Sequence, residues 1–90
     1  MDGGTAGRVI DVRTPEEFGS GHVPGARNIP LDGMAEHLDE FRAGSGPVTV
    51  LCEVGGRSSR AADQLVSTGI SALNVPGGTR AWREAGYPTE

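Results

Sequence analysis

A four-residue apolar run, Val48-Thr49-Val50-Leu51, ends directly in the chain's only cysteine, Cys52. Neither face of that run carries a charge, which is how strands buried on both sides read in parallel sheets. A glycine-containing loop follows, Glu53-Val54-Gly55-Gly56, and then a helical segment from Arg57 to Thr68. Strand, tight loop and helix in that order form one unit of an open α/β sheet, and such sheets bind ligands beyond the carboxyl ends of their strands. Cys52 falls at that place.

The rest of the chain repeats the alternation. Val9-Ile10-Asp11-Val12 reads as a β-branched strand. Thr14-Pro15-Glu16-Glu17 opens a short helix, with Thr14 as N-cap, Pro15 at the first helical position and Glu17 where a capping box needs it. Gly19 and Gly21 end that helix, His22 to Ala26 is rich in turn residues, and Arg27-Asn28-Ile29 reads as a very short strand before Pro30. Leu31, Met34, Leu38 and Phe41 predict one helical face over Leu31–Phe41, stopped by Gly44-Ser45-Gly46-Pro47. The helix after Cys52 is expected to turn Ala61, Leu65 and Val66 inward and to end at Gly69. Ala72-Leu73-Asn74-Val75 is a further strand, and Pro76-Gly77-Gly78 turns into a last helix over Thr79–Ala85, closed by Gly86. No internal repeat or low-complexity tract interrupts this order.

Ninety residues suit one small domain. A lone Cys excludes an internal disulfide framework and points to a reducing, cytoplasmic setting. With it, two distant histidines, His22 and His37, make a poor structural zinc site. The net charge of −4 and the lack of a basic stripe argue against nucleic acid and against anionic membrane surfaces as partners. No apolar run approaches the roughly 18 residues of a membrane span, and no signal peptide opens the chain. Met1–Gly7, Gly-rich and polar, is expected to be flexible or trimmed.

The segment from Cys52 to Ser58 carries the chemistry. Its backbone can curl so that successive N–H groups point inward, and the following helix adds unpaired N-terminal donors and the positive end of its dipole. Such a cradle stabilises negative charge on a sulfur and lowers a thiol pKa from about 8.5 into roughly the 3.5–7.5 range. Arg57 adds a charge able to hold an anionic donor. A cysteine without such context is more often a small buried hydrophobe; the loop and helix favour a reactive thiol.

Four motifs in order then resemble the rhodanese family, over nearly the whole chain. Val9-Ile10-Asp11-Val12-Arg13 with Pro15-Glu16-Glu17-Phe18 resembles its opening, and Gly21-His22-Val23-Pro24-Gly25-Ala26 its Gly-His-Ile-Pro-Gly-Ala signature. Cys52 to Ser58 follows its active-site pattern Cys-x-x-Gly-x-Arg-Ser, and Gly77-Gly78-Thr79-Arg80-Ala81-Trp82 its closing Gly-Gly-x-x-Ala-Trp. The resemblance implies an α/β fold over residues 8–90: a doubly wound parallel sheet of four to five short strands with helices on both faces. It implies a sulfurtransferase in which Cys52 takes a sulfane sulfur from thiosulfate or another persulfide donor. The sulfur then passes to an acceptor: cyanide, a thiol or a protein persulfide carrier. Glu53, Val54, Gly55, Gly56, Arg57 and Ser58 would bind the substrate, Asp11 and Arg13 would support the site, and no cofactor would be needed.

Two departures from the family pattern stand out. Glu53 follows the cysteine where many thiosulfate-using members have Arg, which is expected to weaken thiosulfate binding. Only eight residues precede Val9, so the strand and helix that members usually carry there are expected to be missing or reduced. Two other functions compete: a non-catalytic rhodanese-like binding module, and a small Cys-loop phosphatase or arsenate reductase. The second would use a loop one residue longer than the four between Cys52 and Arg57. His22 and Trp82 are read as structural, Asp11 equally as a functional group or half of an ion pair, and Asp32, Glu36, Asp39 and Glu40 as a solvated face.

Overall fold

A computed structural model describes residues 9–42 and 47–90. The expectations for Met1–Gly7 and for the Gly44–Gly46 helix stop lie outside the described residues. The elements run β1 (Val9–Asp11), α1 (Pro15–Gly19), β2 (Arg27–Asn28), a 3-10 helix (Leu31–His37), α2 (Leu38–Arg42), β3 (Val48–Leu51), α3 (Gly56–Ser67), β4 (Ala72–Asn74) and α4 (Gly78–Glu84). The strands form one four-stranded sheet in the order β2-β1-β3-β4, with every pair parallel. This is the expected α/β class.

The local signals explain most boundaries. Thr14 caps α1 through its side chain, which accepts from the Glu17 amide, and the Glu17 carboxylate returns the bond to the Thr14 amide. That reciprocal pair satisfies two donors that a helix start leaves open. Pro15 occupies the first turn, where its missing N–H costs nothing.

The segment 31–42 departs from the expected single α-helix. It begins as a 3-10 helix after Pro30, with the Gly33 amide bonded to the Pro30 carbonyl at 3.0 Å, and becomes α-helical only at Leu38. A 3-10 helix repeats every three residues, so Leu31 and Met34 share its row, and the four-residue step from Met34 to Leu38 marks the change. Gly33 weakens the α alternative. The apolar face is nevertheless the expected one: Met34 and Phe41 are buried, with Leu31 and Leu38 packed beside them.

Helix α3 differs by one residue. Its inward stripe is Ser58, Ala61, Ala62 and Leu65, while Val66, expected inward, is 58% exposed. Steps of three and four residues from Leu65 return to Ala62 and Ala61; Val66 sits about 100° round the helix from Leu65 and leaves the stripe. The core unites Ile10, Val12, Val48, Val50, Cys52 and Ile70 with these helical faces.

Candidate active site

Between β1 and β3 the chain order reverses: from β1 it runs outward to β2, then returns past β1 to β3 and β4. Asp11 pairs with Leu51, so the two central strands end level. Val12-Arg13 and Cys52-Glu53 therefore emerge side by side at the switch point, where open α/β sheets form their ligand crevice.

The Cys52 side chain is 1% exposed and is ringed by donors. The amides of Gly55 and Ser58 point at its sulfur from 3.1 and 3.4 Å, and the Ser58 hydroxyl lies 3.5 Å from it. Burial pushes the thiol pKa up, but the Ser58 hydroxyl and amide together with the Gly55 and Val54 amides outweigh it, and the net direction is down. Gly55 makes this ring possible: its φ of 109° lies where residues with a Cβ are strained, and it turns the chain into α3 as its N-cap. Gly56 does not share that need. Its φ is ordinary and a Cβ there would meet open space.

The start of α4 shapes the same loop from behind. The Thr79 amide donates to the Cys52 carbonyl at 2.8 Å, and the Arg80 amide donates to the Glu53 carbonyl at 2.9 Å. In a trans peptide the N–H points opposite to the C=O, so holding these two carbonyls outward turns the Glu53 and Val54 amides toward the cysteine side. Gly78, with a φ of 55°, lies against the Cys52 and Glu53 carbonyls, where no side chain fits. The sequence gives Pro76-Gly77-Gly78 the signature of a turn; the paired glycines were the available sign of a close backbone approach.

Asp11 and Arg13 are both buried and form one unit. Arg13 donates Nε and Nη2 to the Asp11 carboxylate, Nη2 to the Gly21 carbonyl at 2.8 Å, and Nη1 to Glu53 at 3.1 Å. The second Glu53 oxygen accepts from Arg83 at 2.5 Å. The Glu53 charge is thus matched by two guanidinium groups, those of Arg13 and Arg83. Arg83 was not singled out in the sequence.

Arg57 meets Glu17, with Nη1 and Nη2 at 2.7 and 2.9 Å from its two oxygens. Glu17 thus has a role beyond its cap that local sequence did not signal. Val54 is exposed at the loop tip. Ser58, buried, has its hydroxyl 2.5 Å from Asn74 Oδ1 at the end of β4. His22 Nδ1 lies 2.9 Å from the Phe18 carbonyl and its ring stacks on Phe18, while Trp82 Nε1 donates to the Pro88 carbonyl beside Tyr87. Both are structural arrangements. Glu40, by contrast, pairs with Arg27 and His37 and is more than solvated surface. Among the described residues no cluster of His, Cys, Asp and Glu could hold a metal ion, and no helix is long and apolar enough to cross a membrane.

A buried sulfur ringed by amides at the carboxyl end of a central parallel strand defines a Cys-loop α/β domain. The rhodanese-like domain model matches residues 1–85, and the chain belongs to that family. It is 42% identical over 76 residues to YqhL of Bacillus subtilis, an uncharacterised protein, covering 83% of this chain and 60% of that one. It is 37% identical over 83 residues to thiosulfate sulfurtransferase GlpE of Pseudomonas putida, covering 91% of this chain and 74% of that one. A crystal structure of a rhodanese-related protein from Thermoplasma volcanium superposes with a TM-score of 0.85 at 34% identity, covering 94% of this chain and 84% of that one. The chain thus spans less than two thirds of its Bacillus relative's length.

Proposed function

We propose that the protein is a sulfurtransferase that carries sulfane sulfur as a persulfide on Cys52. The observation that carries this reading is the convergence of the Gly55 and Ser58 amides on one buried sulfur, with the Ser58 hydroxyl beside it. Donors preorganised around a sulfur stabilise it as an anion, which is the nucleophilic form. Relatives named as thiosulfate sulfurtransferases support the same class.

In the first step the Cys52 thiolate attacks the outer sulfur of thiosulfate. A new S–S bond forms, the old one breaks, and sulfite leaves with its electron pair. The charge now lies on the terminal sulfur of the persulfide, held by the same loop amides. In the second step cyanide or a thiolate acceptor attacks that terminal sulfur, and Cys52 departs as thiolate. No redox cofactor is consumed, since the protein sulfur is itself the carrier. Asp11 and Arg13 act as supports: the pair fixes Glu53, and Glu53 is the first residue of the loop. The four residues between Cys52 and Arg57 also favour a single sulfur over a tetrahedral phosphate.

The test is thiocyanate release from thiosulfate and cyanide by the protein and by Cys52→Ser. Turnover that vanishes in the mutant is expected. Equal rates in both would overturn the assignment of the carrier sulfur.

A further inference from the structure

Arg57 is the only basic residue between Cys52 and Ser58. Its guanidinium meets both oxygens of Glu17 in a two-pronged contact, at 2.7 and 2.9 Å. Arg offers that same fork to any planar or tetrahedral oxyanion, a sulfonate group included. The two arginines that reach Glu53 are committed as well, Arg13 to Asp11 and Glu53, and Arg83 to Glu53. An oxyanion approaching Cys52 therefore finds each of these three guanidinium groups already holding a carboxylate.

Glu17 is also held from its own side. The Thr14 amide and hydroxyl lie 3.0 and 3.2 Å from Glu17 Oε1, so the capping box of α1 aims the carboxylate across at α3. The fork from Arg57, with the Thr14 amide, lowers its pKa to about 2, so it stays ionised throughout the neutral range.

We propose that Glu17 is a specificity-determining residue that occupies Arg57 in the resting protein. A donor with an oxyanion group, thiosulfate among them, must displace this built-in carboxylate to reach Arg57. A donor whose outer sulfur sits on an uncharged framework, such as a protein persulfide, need not. The proposal rests on the sulfur-transfer reading of Cys52 and deepens it by ranking the classes of donor.

Glu17→Gln tests it, because Gln keeps the shape and still accepts the Thr14 amide while losing the charge. The readout is the rate at which Cys52 is alkylated by anionic iodoacetate, divided by the rate with neutral iodoacetamide. In both reactions the thiolate attacks carbon and iodide leaves, so a change in thiolate population cancels from the ratio. Glu17→Gln is expected to raise the ratio about threefold, the scale set by a partly exposed ion pair, and to lower the thiosulfate KM by a similar factor with a smaller change in kcat. In an Arg57→Gln background the rise should disappear. An unchanged ratio, or a rise of equal size without Arg57, would overturn the proposal. A raised ratio in a protein that takes up sulfur from neither thiosulfate nor glutathione persulfide would sustain the hold of Glu17 on Arg57 and contradict the sulfurtransferase reading instead.

Discussion

A Cβ on Gly78 would collide with the carbonyl oxygen of Cys52, the same oxygen that accepts the Thr79 amide at 2.8 Å. The start of α4 and the cysteine loop are thus in backbone contact, and the loop cannot hold its shape if a side chain separates them. Gly78→Ala combines this clash with the cost of a positive φ, for an expected loss of about 2–4 kcal/mol in unfolding free energy. Urea denaturation measures it. A loss under 0.5 kcal/mol would show that the two segments part easily.

The two loop glycines should behave oppositely. Gly55→Ala strains a φ of 109° and brings a Cβ to 3.3 Å from the Gly77 amide nitrogen, so a loss of about 1–3 kcal/mol is expected together with slower alkylation of Cys52. Gly56→Ala adds a methyl in open space at the first turn of α3 and should stabilise by about 0.4–1 kcal/mol with alkylation unchanged. Equal effects of the two substitutions, in thermal unfolding and in alkylation rate, would refute the distinction.

The Ser58 amide lies 3.4 Å from the Cys52 sulfur, and the one proton of its hydroxyl is shared between that sulfur at 3.5 Å and Asn74 Oδ1 at 2.5 Å. The pH dependence of iodoacetamide alkylation should place the thiol below its ordinary value, and Ser58→Ala should move the midpoint upward, because the hydroxyl is lost and only the amides remain. A mutant midpoint equal to the parent's would leave the amides as the sole cause of the lowered pKa.

Glu17 also ties stability to acid. Its folded pKa, lowered from 4.5 to about 2, means the Arg57 pair stabilises the fold fully above pH 4.5, and the contribution fades as pH falls from 4.5 toward 2. Both side chains are 37% exposed, so screening limits the effect to about 0.5–1 kcal/mol. Unfolding free energy measured from pH 6 down to 2 should fall less steeply in Glu17→Gln than in the parent. Parallel curves would exclude Glu17 as a source of acid sensitivity.

Local features of the chain were legible in its sequence and distant pairings were not. The β3–loop–α3 succession and the Thr14–Glu17 cap depend on neighbours within a few residues, and period, glycine and cap chemistry identified them. The partners of Glu53 and Arg57 lie 30 to 40 residues away, and an isolated acid or base does not announce which opposite charge it will meet. Val66 shows the limit of periodicity: one residue beyond a correctly placed Leu65, it faces solvent. The paired glycines of the loop show another, since two identical neighbours in sequence do different work in the backbone.

The most direct test of the Cys52 carrier is intact-protein mass after incubation with thiosulfate and again after cyanide, with Cys52→Ser alongside. The account predicts a gain of one sulfur atom that cyanide removes and that the mutant never acquires. A parent protein whose mass changes neither under thiosulfate nor under glutathione persulfide, with Cys52 intact and alkylatable, would contradict it.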